Sequence, residues 1–159
     1  MTLRIRPGTV ADVPVVLELW TALMAGGSAT DPRYRLADDA RAAMWSYVRN
    51  DWLSGRYPFP ALWVADGESV VGFVSITVVP ANPVVAFAPT AQIGDLWVQP
   101  EHRRQGVGAR LVNTARQAAS EAGYRRHKVG TLIRDTRAVA FWENQGFTPL
   151  YVQLTAEPA

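Results

Sequence analysis

The chain of 159 residues has no cysteine. Disulfides are therefore excluded, and so is any route that parks an acyl group on a protein thiol. Net charge is also scarce: the formal value is +2, too small to argue for a nucleic-acid partner. The cations are instead gathered locally, at Arg103, Arg104, Arg110 and Arg116, which suits a small polyanion better than a duplex. Met1 to Arg6 carries Arg4 and Arg6 without the apolar core of a secretory signal, so a cytoplasmic location is expected. No charge stands between Glu68 and Asp95, yet Pro80, Asn82, Pro83 and Pro89 interrupt that stretch and its apolar part is rich in Val and Ile. A spanning helix is improbable there, and no membrane partner is expected. Repeats, linkers and low-complexity segments are missing as well.

What is present reads as one globular domain over 1–159, with 48% hydrophobic and 19% charged residues and enough chain to bury a core. Leu3 and Ile5 alternate with Arg4 and Arg6 in a first strand ending at Pro7-Gly8. Thr9, with Asp12 three residues on, predicts a capped helix start. The helix runs to about Met24, with Val13, Val16, Leu17, Trp20 and Leu23 on one stripe. Gly26-Gly27 and Asp31-Pro32 mark Ala25 to Ala37 as loop, and a second helix covers roughly Asp38 to Leu53. Strands follow at Ala61 to Ala65 and Val70 to Val79, joined at Asp66-Gly67. Pro80 to Pro89 is a connection with an extended piece at Val84 to Phe87. Ile93 to Val98 is a buried strand, Val107 to Ala122 a helix ended by Gly123, Lys128 to Ile133 a strand, Thr136 to Gln145 a helix and Pro149 to Leu154 a last strand. The order β-α-α-β-β-β-α-β-α-β predicts an α/β fold, an α+β sandwich with a mixed central sheet flanked by helices.

The stretch that organises this order is Gly94 to Leu111, GDLWVQPEHRRQGVGARL. Strand, basic glycine-bearing turn and helix follow one another, so free N–H groups and a positive helix end face whatever lies over the turn. A phosphate or pyrophosphate is the natural guest. A Walker-type loop needs Gly-Lys-Ser/Thr, but Ala109 and Arg110 follow Gly108. A dinucleotide fingerprint needs a third glycine where Leu111 stands. What remains is Arg103-x-x-Gly106-x-Gly108 after a strand ending in Val98.

That signature resembles the one with which the GNAT superfamily of N-acetyltransferases binds the pyrophosphate of acetyl-coenzyme A. A second segment supports the resemblance. Asp135, Ala138, Phe141, Trp142, Glu143, Gly146 and Phe147 fit the family's late pattern N-x-x-A-x-x-[LF]-[YW]-E-x-x-G-F. Asp135 departs from the usual Asn, and Trp142 stands where many members have Tyr. The element order is also the family's, so the likeness covers Thr2 to about Leu154. It implies a GNAT-like fold with acetyl-CoA as co-substrate and no metal. The pyrophosphate would meet Arg103, Arg104, Gln105, Gly106, Val107, Gly108 and Ala109. The Val98 N–H would polarise the thioester, and Asp135 and Trp142 would lie along the pantetheine arm.

Acetyl transfer to an amine needs a neutral nucleophile. With a pKa of about 10.4, only roughly one lysine-like amine in a few thousand is neutral at pH 7, so something must take its proton. Asp95 interrupts an otherwise apolar strand three residues before Val98 and is the candidate base; the competing reading is a structural hydrogen bond. Gly94 beside it predicts a bulge, so alternation does not reveal the face of Asp95. Trp142 has no proton to release at neutral pH and reads as a packing residue. The acceptor would lie near the first two helices, where Trp20, Tyr34, Trp45, Trp52, Tyr57 and Phe59 offer an aromatic-lined pocket for a small-molecule amine or an aminoacyl or peptide acceptor. A catalytically weak acyl-CoA-binding module of the same fold is the alternative function. The uncharged stretch from Val78 to Phe87 is expected to pack on a second copy, giving a homodimer, or to close over the acceptor site.

Overall fold

A computed structural model describes residues 3–156 of the chain. Its sheet has five strands in the order β1-β2-β3-β4-β5: β1 Arg4–Pro7, β2 Leu62–Asp66, β3 Val70–Val78, β4 Thr90–Val98 and β5 Arg126–Val129. The first three pairings are antiparallel and β4–β5 is parallel. The mixed sheet expected from the sequence is therefore present. Met1, Thr2 and residues 157–159, which the single-domain expectation includes, lie outside the described residues.

Two apolar cores lie on opposite faces of this sheet. Helix α3, Val107–Glu121, and helix α4, Thr136–Asn144, cover one face. There Val107, Leu111, Val112, Ala115 and Ala119 join Ile76, Ile93, Val98 and Trp142. Helix α1, Val13–Thr30, and helix α2, Ala40–Tyr47, cover the other. There Val13, Val16, Leu17, Trp20, Met44 and Val48 pack on Leu62, Val64 and Phe73. The helical stripe read from the sequence is the one buried. The segment Val10–Thr30 is long and apolar enough to cross a membrane by length and composition, but its apolar stripe is spent on this core.

Ahead of α1, a 3₁₀ turn at Val10–Asp12 is held by Asp12, whose carboxylate accepts from the Thr9 N–H and hydroxyl, each at 2.8 Å. The expected capping partnership is present. α1 then runs past Met24 and through Gly26-Gly27, contrary to the loop expected there. Gly-Gly only weakens a helix, whereas Pro32 forces the preceding residue out of helical geometry: Asp31 sits at φ −145°, ψ 113°. After α2 comes a wider π-helical turn, Val48–Trp52.

Three further expectations are corrected. Val84 to Phe87 forms no strand, and Val84 is 88% exposed. β5 ends at Val129 instead of Ile133, because β4 leaves it at that point: the parallel pairing covers only Thr90 to Ile93. Pro149 to Leu154 forms no strand either. An alternating apolar segment becomes a strand only with an edge to pair on. Leu150, Tyr151, Val152 and Leu154 are instead exposed, and the chain is tied at its far end where Arg33 donates to the Thr155 hydroxyl.

Candidate active site

The site grows from an irregularity in β4. Val74 pairs with Leu96 and Ile76 with Ile93, so Gly94 and Asp95 together oppose the single residue Ser75. This is the bulge expected at Gly94, and it shifts the alternation by one. Before it, Ala91 and Ile93 face the α3 side; after it, Leu96 and Val98 do. Asp95 and Trp97 therefore turn to the α1–α2 face, where Trp97 packs. Half-buried in that position, the Asp95 carboxyl is pushed up to about 6, and desolvation is the cause. A carboxylate at that value is ionised at neutral pH and still basic enough to take a proton.

The bulge also opens the sheet. Beyond Ile93, β4 continues for five residues with no β5 partner. The Gln99 N–H bonds to the Val71 carbonyl on β3 at 2.9 Å. In an antiparallel ladder hydrogen-bonding residues alternate, so the amides of Val98 and Leu96 point the other way, into the gap between β4 and β5. Val98 is thus placed to donate to a carbonyl lying in that gap.

Gly106 caps α3 at φ 76°, and Arg104 before it holds φ 58°. A residue other than glycine pays strain at such an angle, and nothing lies within 4 Å of where a Gly106 side chain would begin. The turn thus presents the unpaired first N–H groups of α3 around Val107, Gly108 and Ala109 to open space. At Gly108 a Cβ would make ordinary contacts, with the Phe141 ring at 3.5 Å and Val98 at 3.9 Å, so the start of α3 lies beside Phe141 of α4 and Val98 of β4. Gln105 donates to the Glu101 carbonyl at 3.0 Å, bracing the turn.

Arg103 is engaged within the protein. Its Nε donates to the Val98 carbonyl at 2.8 Å and its guanidinium lies 4.3 Å over the Trp97 ring. It fastens the end of β4 before it can assist a phosphate. Asp135 is likewise engaged: its carboxylate accepts from the Ala138 N–H at 3.0 Å and caps α4. Trp142 is 8% exposed and sits edge-on between Phe141 and Phe147. It packs, as expected, but on the protein's own rings; the half-buried Phe141 is the aromatic beside Val98.

The six aromatics expected to line one pocket are dispersed. Trp20, Trp52 and Phe59 are core, while Tyr34 and Trp45 are exposed. Trp52, Tyr57 and Phe59 border a small cavity near Gly8 and Pro60 that Asp95 does not line. The residue that sequence reasoning missed is Tyr47, at the end of α2. Burial first, then Asp51 and, least of these, the charge of Asp95 hold its phenol above the ordinary value. Buried Asp51 is occupied by Arg56 at 2.7 Å and by the Tyr57 hydroxyl at 3.0 and 3.1 Å. Nothing in the local sequence marked Tyr47; in the structure it directly precedes the π turn Val48–Trp52, and such turns recur at functional sites. Among the described residues no group of three His, Cys, Asp or Glu could hold a metal.

Known proteins share this fold, and others resemble the sequence. Human N-acetyltransferase 8 is 35% identical over 86 residues, 54% of this chain and 37% of that protein. The chain spans roughly two fifths or less of the length of the curated relatives it matches. A transcriptional regulator from Bacillus halodurans superposes with a TM-score of 0.76 at 22% identity, over 98% of this chain and 99% of that one. The aminoglycoside N-acetyltransferase AAC(6')-Iy in complex with CoA does so at 0.68 and 19%, over 99% and 95%. Residues 23–147, which hold the bulge, the gap, the α3 turn and α4, match the acetyltransferase (GNAT) family, and the chain belongs to that family.

Proposed function

We propose that the protein is an acetyl-CoA-dependent N-acetyltransferase that moves the acetyl group directly to the primary amine of a small-molecule, aminoacyl or peptide acceptor. The observation that carries this reading is the meeting, on one strand, of a carboxyl raised to about 6 and an amide aimed into the β4–β5 gap. The pyrophosphate is read onto the α3 turn, Arg104 to Ala109, and the pantetheine arm into the gap beside Leu96, Val98 and Phe141. Acetyl-CoA supplies an activated thioester there, and the chain's residues do the rest. The Val98 N–H donates to the carbonyl oxygen as negative charge develops on it. Asp95 accepts the amine proton, directly or through one water, as the C–N bond forms. The C–S bond then breaks; a thiol with a pKa near 8.5 leaves without an obligatory acid, consistent with Trp142 having none to offer.

The acceptor comes from the α1–α2 side, past Tyr47. The cytoplasmic location stays part of this reading, as does a homodimer joined through the Pro80 to Pro89 connection, where Val84 and Phe87 are 88% and 57% exposed. A monomer at micromolar concentration would remove the dimer. An amine panel with acetyl-CoA, read by free-thiol release, tests the activity. Release with at least one primary amine is expected. Tight CoA binding with no release across small amines, aminoacyl compounds and peptides would instead make this a binding module.

A further inference from the structure

Ser75 lies in the middle of β3, 1% exposed, at the one position where that strand faces two residues of β4. Its side chain does what a carbonyl does elsewhere in the ladder: Oγ accepts from the Asp95 N–H at 2.9 Å. The neighbouring residue leaves space for it and no more. A Cβ on Gly94 would stand 2.7 Å from the same Oγ, well inside contact distance, so a hydroxyl at 75 in this position needs glycine at 94. The bond closes the bulge. Without it the Asp95 amide would be left without its partner inside the sheet, a costly state that the strand would relieve by shifting register. A shift of one residue would send Asp95 to the opposite face.

We infer that Ser75 is a positioning residue: through the Asp95 N–H, its hydroxyl locks the bulge of β4 and so sets where the Asp95 carboxylate and the Val98 amide point. This rests on the reading of Asp95 as the base. Around Asp95 the elements on its face contribute Tyr47 from α2, with Asp51 of the π turn behind it, and Ser75 adds no charge of its own.

The test uses Ser75→Ala, Ser75→Thr, Gly94→Ala and the Ser75→Ala/Gly94→Ala pair, with Asp95→Asn as reference. Turnover, KM for each substrate, thermal stability and the Asp95 carboxyl titration by carbon-13 NMR are measured. Ser75→Ala should lower kcat about tenfold or more, leave KM for acetyl-CoA within about twofold, and move the Asp95 titration toward the ordinary carboxylate range. Ser75→Thr should restore most of both. Gly94→Ala should reproduce the loss in the wild-type background and add little in Ser75→Ala, where the obstructing oxygen is gone. An unchanged kcat and titration in Ser75→Ala, or strictly additive losses in the pair, would overturn the inference. If Asp95→Asn stays fully active while Ser75→Ala still moves the titration, the base reading falls and the bulge lock stands. If Asp95→Asn is inactive and Ser75→Ala is silent, the reverse holds.

Discussion

The two faces of the sheet are held by different forces. The α3–α4 face is closed by apolar packing, with Leu111, Val112, Ala115 and Ala119 fully buried. The α1–α2 face buries three carboxylates as well, Asp12, Asp31 and Asp51, each gripped by an arginine. Arg6 illustrates the difference. It forks onto both oxygens of Asp12 at 2.8 Å and reaches Asp66 with Nε at 2.7 Å, joining β1, the start of α1 and β2. Apolar packing is indifferent to pH, whereas charged hydrogen bonds are not. The face that should receive the acceptor is thus the one whose buried carboxylates respond to acidity, while the α3–α4 side rests mainly on apolar packing, with His127 against Arg116 and Ser120 as a titratable contact.

Four experiments would break or sharpen this contrast. The largest effect is expected at the seam, where Asp95→Asn should lower kcat by roughly 10²–10⁴-fold with acetyl-CoA affinity nearly unchanged. The wild-type rate should fall as pH drops through about 6, because the base is then protonated, and the variant should lose that limb. Full activity with the same pH–rate profile would make Asp95 structural. On the α3 side, Gly106→Val should weaken CoA binding by roughly 100-fold, the loss of about two charge-assisted hydrogen bonds. Its φ of 76° is hostile to a β-branched residue. Calorimetric titration of the folded variant decides it, and unchanged affinity would move the pyrophosphate elsewhere.

The third experiment bears on stability. Hydrogen bonds from Arg6 hold the Asp12 carboxyl down at about 2, against an ordinary 3.8. A depressed carboxylate stabilises the fold fully above its unfolded value and loses that contribution as pH falls toward the folded one. Asp12→Asn should therefore cost about 2–3 kcal/mol at pH 7 by urea titration, and the gap from wild type should close between about pH 4 and pH 2. A gap that persists at pH 2 would mean that packing, not charge, is lost. The smallest effect belongs to Trp142→Phe, which should lower stability by about 1–2 kcal/mol and leave CoA affinity within about twofold. A large affinity change with normal stability would return Trp142 to the cofactor.

How far the sequence could be read follows the same division. The α3 side was legible because its chemistry is local: strand, basic turn, Gly106 and helix are contiguous, and the late segment ending in Gly146-Phe147 lies at a fixed distance. The bulge was legible too, through Gly94, but its mate was not. Ser75 is one hydroxyl in an apolar strand, and its significance depends on a register that no local pattern specifies. Tyr47 was hidden for a similar reason, since only the folded chain brings the end of α2 near Asp95. The corrected ends of α1 and β5 show tertiary context overriding local signals: a Gly-Gly pair was carried through by the helix, and a strand was cut short by its neighbour's departure. Of the six aromatics only Trp52, Tyr57 and Phe59 share a cavity, because aromatic residues serve cores and surfaces alike and composition does not tell them apart.

The parting of β4 from β5 has a consequence for solubility. A sheet edge is a template on which foreign strands can grow, and proteins guard theirs. The two outer edges here carry Arg4 on β1 and Arg126 and Lys128 on β5, like charges that discourage edge-to-edge stacking of copies. The stretch Leu96-Trp97-Val98 is far stickier, and its guard is Arg103, which covers Trp97 and takes up the Val98 carbonyl but leaves the Val98 N–H free. This stretch is an edge turned inward, recessed where the sheet divides, too confined to admit another sheet and open to a single slender chain. A small molecule that runs along it would act as a temporary sixth strand, so occupancy should slow amide exchange at Leu96 and Val98 and delay heat-induced clumping by more than the gain in melting temperature alone would account for.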